Sequence, residues 1–279
     1  MTQEITRRRR GGVVGERALT QSDRQGSVRL RRLAGIAGIR VLPLLLFLSI
    51  WELGAISVGA IDIPGVGDTL KALVQVVSSA ETWSALVESN KALAIGYASA
   101  VVVGVPLGLL IGRVRVADAL VQGWLSILLI APVAMIIPII IMALGFGVGG
   151  RSLIIFIFVL PMIVVNCRTG VRTTPPELAE MGRVFGATER QLWQKVILPG
   201  ATPSVFVGLR IGIGRAVTGM VIAEWLLAAV GVGALLLQFR GTFQADALFA
   251  IIILILIESL LLVHVLRVLE RRLVGWAAA

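Results

Sequence analysis

Six apolar runs separated by polar punctuation dominate the chain, at 41–60, 93–111, 120–143, 153–166, 205–228 and 248–268. A helix needs ~20 mostly apolar residues to cross the hydrocarbon of a bilayer, and each run meets that length once the fourth is extended to about residue 171. The pattern predicts an all-α membrane protein of about six transmembrane helices. Asp68 is placed to cap a short extramembrane helix over 69–77. Gly104, Gly108 and Gly112 recur every fourth residue in the second span, a spacing that permits close helix approach. Pro132 and Pro138 interrupt the third span, which predicts a kink that either lines a pore or serves packing.

The longest polar interruption between spans, 172–203, lies between the fourth and fifth. Pro175 and Pro176 open it. The composition of 177–185 is helical, with acids early as the helix dipole prefers. Gly186 can end that helix through a left-handed backbone. Thr188 with Gln191 three residues on forms a capping-box pattern, starting a second short helix over 189–196. Leu198 and Pro199 are expected to close it before the chain re-enters the membrane after Pro203. Such a helix–bend–helix unit either packs on its own protein or presents Met181, Val184, Phe185, Leu192 and Trp193 to a partner groove.

Composition agrees with the pattern: of 279 residues 57% are hydrophobic and 15% charged, with a net charge of +10. Placed on the six-span layout with a cytoplasmic amino terminus, all of the 26 Lys and Arg fall inside except Lys71, Lys91, Arg151 and Arg240. Arg210 and Arg215 are counted there as lying near a span entrance. This asymmetry places both termini and the 172–203 segment on the cytoplasmic side. The leader, 1–33, reads as a basic, disordered tail suited to anionic lipid; it lacks the apolar core of a secretory signal and the aromatic interleaving of a nucleic-acid arm. The permease region then runs over 34–272, leaving a short tail at 273–279. The single cysteine, Cys167, excludes an intrachain disulfide, and the single histidine, His264, excludes a multi-histidine metal site within one copy.

Three acids fall in or near apolar runs: Glu52, Glu224 and Glu258. Intramembrane acids are candidates for a transport pathway. Glu224 beside Trp225, and Glu52 beside Trp51, also suit hydrogen bonding at a membrane interface. Glu258 and His264 are six residues apart and share a helix face poorly.

Glu180, Gly186, Val196, Leu198 and Pro199 together resemble the E-A-A-x3-G-x9-I-x-L-P signature of ABC importer permeases, with Met181, Gly182 and Val196 departing from it. PPEL at 175–178, GLRIGIGRA at 208–216, VIAEW at 221–225, PGVGDTLKAL at 64–73 and the run at 145–166 look like the nitrate, sulfonate, taurine and bicarbonate branch. The resemblance implies a type I ABC importer permease fold in a bacterial inner membrane. It implies that the 172–203 loop is a coupling helix seated in a separate ATPase subunit. Carried over by position, Glu177, Glu180, Arg183, Gly186 and Ala187 would dock, and Leu198 and Pro199 would shape the return to the span. It further implies a homodimer, two ATPase subunits that hold ATP and Mg, an extracytoplasmic substrate-binding protein and no cofactor on this chain. Gly182 is expected to loosen the first loop helix.

The branch often carries R-P-x-P-P-x-A in the third span; here the run is Leu129 to Met135, without the arginine and two of the prolines. That shifts the expected cargo from a simple oxyanion toward a more apolar or aromatic acid, with Pro132, Met135 and Glu224 as candidate lining residues. No lysine follows a glycine, so there is no phosphate-cradling loop, and no hydrolase or zinc motif is present. The reading is a non-catalytic permease subunit; the rivals are a proton-coupled secondary transporter and a membrane scaffold.

Overall fold

A computed structural model describes residues 42–57, 63–228 and 230–273. The basic leader and the final residues 274–279 lie outside them. The described residues are helical and contain no strand. Residues up to Val66 form one unit and the rest another.

In the first unit α1 spans Leu42–Ser57. The Trp51 indole donates to the Pro64 carbonyl at 2.9 Å, and a Glu52 carboxylate oxygen accepts from the Val66 amide at 2.9 Å. Glu52 therefore has a local structural role in its own unit.

The helices that follow are α2 (Val66–Ser78), α3 (Ala80–Arg113), α4 (Arg115–Ile130), α5 (Ile137–Leu144), α6 (Val148–Thr173), α7 (Pro176–Val184), α8 (Glu189–Leu192), α9 (Leu198–Ala223), α10 (Gly231–Gly241) and α11 (Ala245–Leu273). Asp68 lies inside the first turn of α2 rather than capping it, and pairs with Lys71 at 3.0 Å. Four helices are long and apolar enough to cross a membrane: α3, α6, Glu189–Leu226 and α11. A fifth crossing arises if α4 and the segment Val133–Leu144 count as one broken span bent by 85°. The sixth expected crossing corresponds to α1, which is shorter, with residues 41 and 58–62 outside the described set.

Two departures from expectation have the same cause. Proline lacks an amide donor and its ring presses on the carbonyl one turn earlier. At Pro132 the third span breaks outright, passing through a 3-10 turn at Val133–Ile136 before α5. At Pro199 the opposite happens. A π-turn at Trp193–Ile197 widens the helix just ahead of the proline, and α8 continues into α9 without a stop. The expected closure at Leu198 and Pro199 is thus replaced by one helix of 38 residues, Glu189–Leu226.

The core is a layer of three helices whose approach is set by glycine. α3 and α6 run parallel: Gly96 faces Ser152 and Ile155, Gly104 faces Ile163, and Gly112 faces Val171. α9 returns antiparallel to α6, with Gly208 against Asn166 and Gly219 against Phe158. A Cβ on Gly108 would stand 2.6 Å from the Cys167 Cβ and 2.7 Å from the Val164 carbonyl oxygen. Backbones this close gain dispersion contacts, the main attraction between helices in lipid. Gly108→Ala is expected to cost about 1–3 kcal/mol through overpacking. Gly123→Ala, where nothing lies within 4 Å, is expected to be neutral or slightly stabilising. Melting of the two variants in detergent compares them directly.

Candidate functional site

The segment between α6 and α9 is an ordered hairpin whose local sequence dictates its turns. α7 ends in a Schellman motif: the Ala187 amide donates to the Gly182 carbonyl at 2.9 Å and the Gly186 amide to the Arg183 carbonyl at 2.9 Å. That closure requires a left-handed residue, and Gly186 supplies it with φ 77°. Two residues on, both halves of the capping box form. The Gln191 amide donates to the Thr188 hydroxyl at 3.4 Å, and the Thr188 amide donates to the Gln191 side-chain oxygen at 2.8 Å.

The hairpin is braced from within. Leu192 is 1% exposed. A Cβ on Gly182 would run into a methyl of Leu192, so the glycine that replaces the signature alanine seats α7 on α8. α7 nonetheless runs through Gly182 without a break. Trp193 also turns inward, with the Arg113 guanidinium stacked 4.9 Å from its ring centroid. Of the five apolar residues offered either to the protein itself or to a partner groove, Leu192 and Trp193 therefore pack on the protein itself. Met181, Val184 and Phe185 face outward, Val184 at 86% and Phe185 at 83% exposure. Glu177 and Glu180 are exposed around them. Arg183 is exposed too, but pairs with Glu189 at 3.1 Å across the bend. Ala187 and Pro199 are half-buried, and Leu198 sits at the start of α9. At the same end of the bundle Asp118 is clamped by Arg168 and, at 2.5 Å, by Arg172, tying α4 to α6.

A second site lies at the break between α4 and α5. A cleft of about 240 Å³ is lined by Leu128, Leu129 and residues 131–134 around the break, by Ile157, Phe158, Pro161 and Met162 of α6, and by Arg215 and Ile222 of α9. Pro132, a candidate lining residue, borders this cleft. Met135 does not; it projects outward from the 3-10 turn. Arg215 was placed near a span entrance by counting the fifth span from residue 205. With the helix starting at Glu189, Arg215 falls between Gly212 and Gly219, which pack on Val159 and Phe158 halfway along α6. It therefore lies at mid-height of the bundle, exposed on the isolated chain, and its being a cation within an apolar run was the available signal.

At the far end from the hairpin, Glu224 is 0% exposed. It accepts from Arg151 at 2.8 Å, from the Ser89 hydroxyl at 2.7 Å and from the Gly233 amide at 3.2 Å. Arg151, 2% exposed, also donates to Glu88 at 2.5 Å. Through these bonds Glu224 locks α3, α6, α9 and α10 together. Arg151, counted only as an external cation in the sequence, is its partner. Glu258 accepts a hydrogen bond from Asn90, whereas His264 lies on a different stretch of α11 beside Arg267.

Residues 104–275 match the family described as the binding-protein-dependent transport system inner membrane component. A probable ABC transporter permease protein of Brucella melitensis is 28% identical over 88% of this chain and 99% of its own. The taurine transport system permease protein of Escherichia coli is 29% identical over 71% of this chain and 72% of its own, a relative from the sulfonate, taurine and nitrate branch. A crystal structure of an amino acid ABC transporter solved with histidines superposes with a TM-score of 0.52 at 16% identity, covering 73% of this chain and 94% of that one. That likeness concerns the fold, that of type I ABC importer permeases.

Proposed function

The chain belongs to the binding-protein-dependent transport system inner membrane component family, and on that premise we propose that it imports a small anion by coupling its spans, through the α7–α8 hairpin, to a separate ATPase subunit. It is a membrane-embedded transport permease of the ABC importer type. In the proposed assembly two copies enclose one pathway, an extracytoplasmic binding protein delivers cargo, and two ATPase subunits holding ATP and Mg dock on the cytoplasmic side. Both termini and the hairpin face that side, in keeping with the distribution of arginine.

The observation that carries the reading is the pairing of an exposed apolar face, Met181, Val184 and Phe185, with an internally braced hairpin. An apolar helix face rimmed by charge suits a groove on a soluble partner. The bracing makes it a rigid handle. Because α8 and α9 are one helix of 38 residues, roughly 57 Å long at 1.5 Å per residue, a push on the hairpin tilts the helix that carries Arg215 and Glu224. Displacement at the docking site can thus reach the spans as rigid-body motion.

The cargo assignment draws on the taurine permease among the relatives. Nitrate, sulfonates and aromatic acids share its anionic character. The coupling is tested by purification in mild detergent. The ATPase subunit is expected to co-purify with the wild-type chain and to be lost on Glu180→Lys, since a rim charge opposite a complementary groove steers association and its reversal repels. Retention of an ATPase-free uptake activity that collapses with an uncoupler would instead favour a secondary transporter.

A further inference from the structure

We propose that Arg215 is the anion-binding group of the cleft at the α4–α5 break, and that the cleft takes an amphiphilic anion, a sulfonate or carboxylate head on a small apolar body. The inference rests on the transport reading and deepens it by assigning a site and a cargo class.

Three features meet there. The first is an unmatched cation. A guanidinium is permanently charged, carries five donors and accepts nothing. The buried and half-buried arginines of this bundle have carboxylate partners: Arg151 has Glu88 and Glu224, Arg168 has Asp118, and Arg210 has Glu270. Arg215, at mid-height of its span and lining the cleft, is exposed on the isolated chain and has no hydrogen-bond or ion-pair partner among the described residues. A cation at that depth is costly unless a pathway or a counter-charge accounts for it.

The second is broken backbone. Non-helical chain at membrane depth is tolerated where it is buried in protein or lines a water-filled cavity, and the break at Ala131–Pro132 borders this cleft. Pro161 on the opposite wall lacks the amide that would close on the Ile157 carbonyl. The third is the apolar remainder. Leu128, Leu129, Phe158, Met162 and Ile222 complete the lining, so the charged head has one natural partner and the body of the cargo has an apolar wall. At ~30 Å³ per water, 240 Å³ holds roughly eight waters, room for a small organic acid.

The test uses the full chain purified with its ATPase subunit in nanodiscs, carrying Cys167→Ala and Met162→Cys. Benzenesulfonate and butanesulfonate are the probes, and benzenesulfonamide is the neutral control of similar shape. The sulfonates are expected to slow maleimide labelling of the introduced thiol and the sulfonamide to leave it unchanged. Arg215→Gln is expected to weaken sulfonate protection about tenfold or more, and Arg215→Lys to retain part of it. Equal protection by the sulfonamide, wild-type protection in Arg215→Gln, or no protection by either sulfonate overturns the proposal. Co-purification of the ATPase subunit is scored on the same samples, so a failure of docking and a failure of anion binding are told apart.

Discussion

Phe185→Asp is expected to abolish ATP-driven uptake while leaving the melting temperature of the permease unchanged. The ring is 83% exposed, so its replacement removes almost no packing from the free chain. In the proposed complex the same ring is the largest apolar group on the docking face. Aromatic anchors at interface centres typically cost at least ~2 kcal/mol on truncation, which is roughly 30-fold in affinity. A buried aspartate adds a desolvation penalty to that loss. Leu192→Asp is the contrasting variant. That side chain is 1% exposed beneath Gly182, so a charge there is expected to disorder the hairpin itself and lower stability as well as uptake. Uptake into proteoliposomes containing the ATPase subunit, read beside thermal melting of the permease, separates the two outcomes.

The second large effect is expected at the opposite end. Arg151→Leu leaves Glu224, 0% exposed, with only the Ser89 hydroxyl and the Gly233 amide as donors. Breaking a buried ion pair by removing one partner typically costs about 3–5 kcal/mol, whereas replacing both partners by apolar residues is often close to neutral. The single variant is therefore expected to melt far below the wild type, and Arg151→Leu combined with Glu224→Leu to recover most of the loss. The cycle gives the coupling energy. Additive single losses, with no recovery, would show that the two side chains act independently, against the lock described here.

The hairpin was the most legible part of the molecule because its turns are local. Gly186, Thr188 and Gln191 act on their own neighbours, and a capping box or a left-handed glycine is written in three or four consecutive residues. The glycine spacing of α3 was legible for a similar reason, although Gly96, two turns earlier and on the same α6-facing stripe, was missed. What escaped depends on partners distant in sequence. Arg151 and Glu224 are 73 residues apart, and nothing in either neighbourhood announces the other. The inward turn of Leu192 and Trp193 likewise depends on Gly182 and on Arg113 from another helix. Pro199 misled because a proline is ordinarily a stop, and a π-turn that absorbs it has no clear sequence mark. Starting the fifth span too late then displaced Arg215 from mid-bundle to its entrance.

The central claim is that the exposed face of α7 meets a cytoplasmic ATPase subunit. Val184→Cys in a Cys167→Ala background tests it most directly, because Val184 is 86% exposed and the buried native thiol is removed. A membrane-impermeant thiol reagent is expected to leave this cysteine unlabelled in intact cells, to label it in inverted vesicles stripped of the ATPase subunit, and to be blocked when that subunit is restored. Labelling in intact cells, or labelling in inverted vesicles that the subunit does not diminish, would contradict the account.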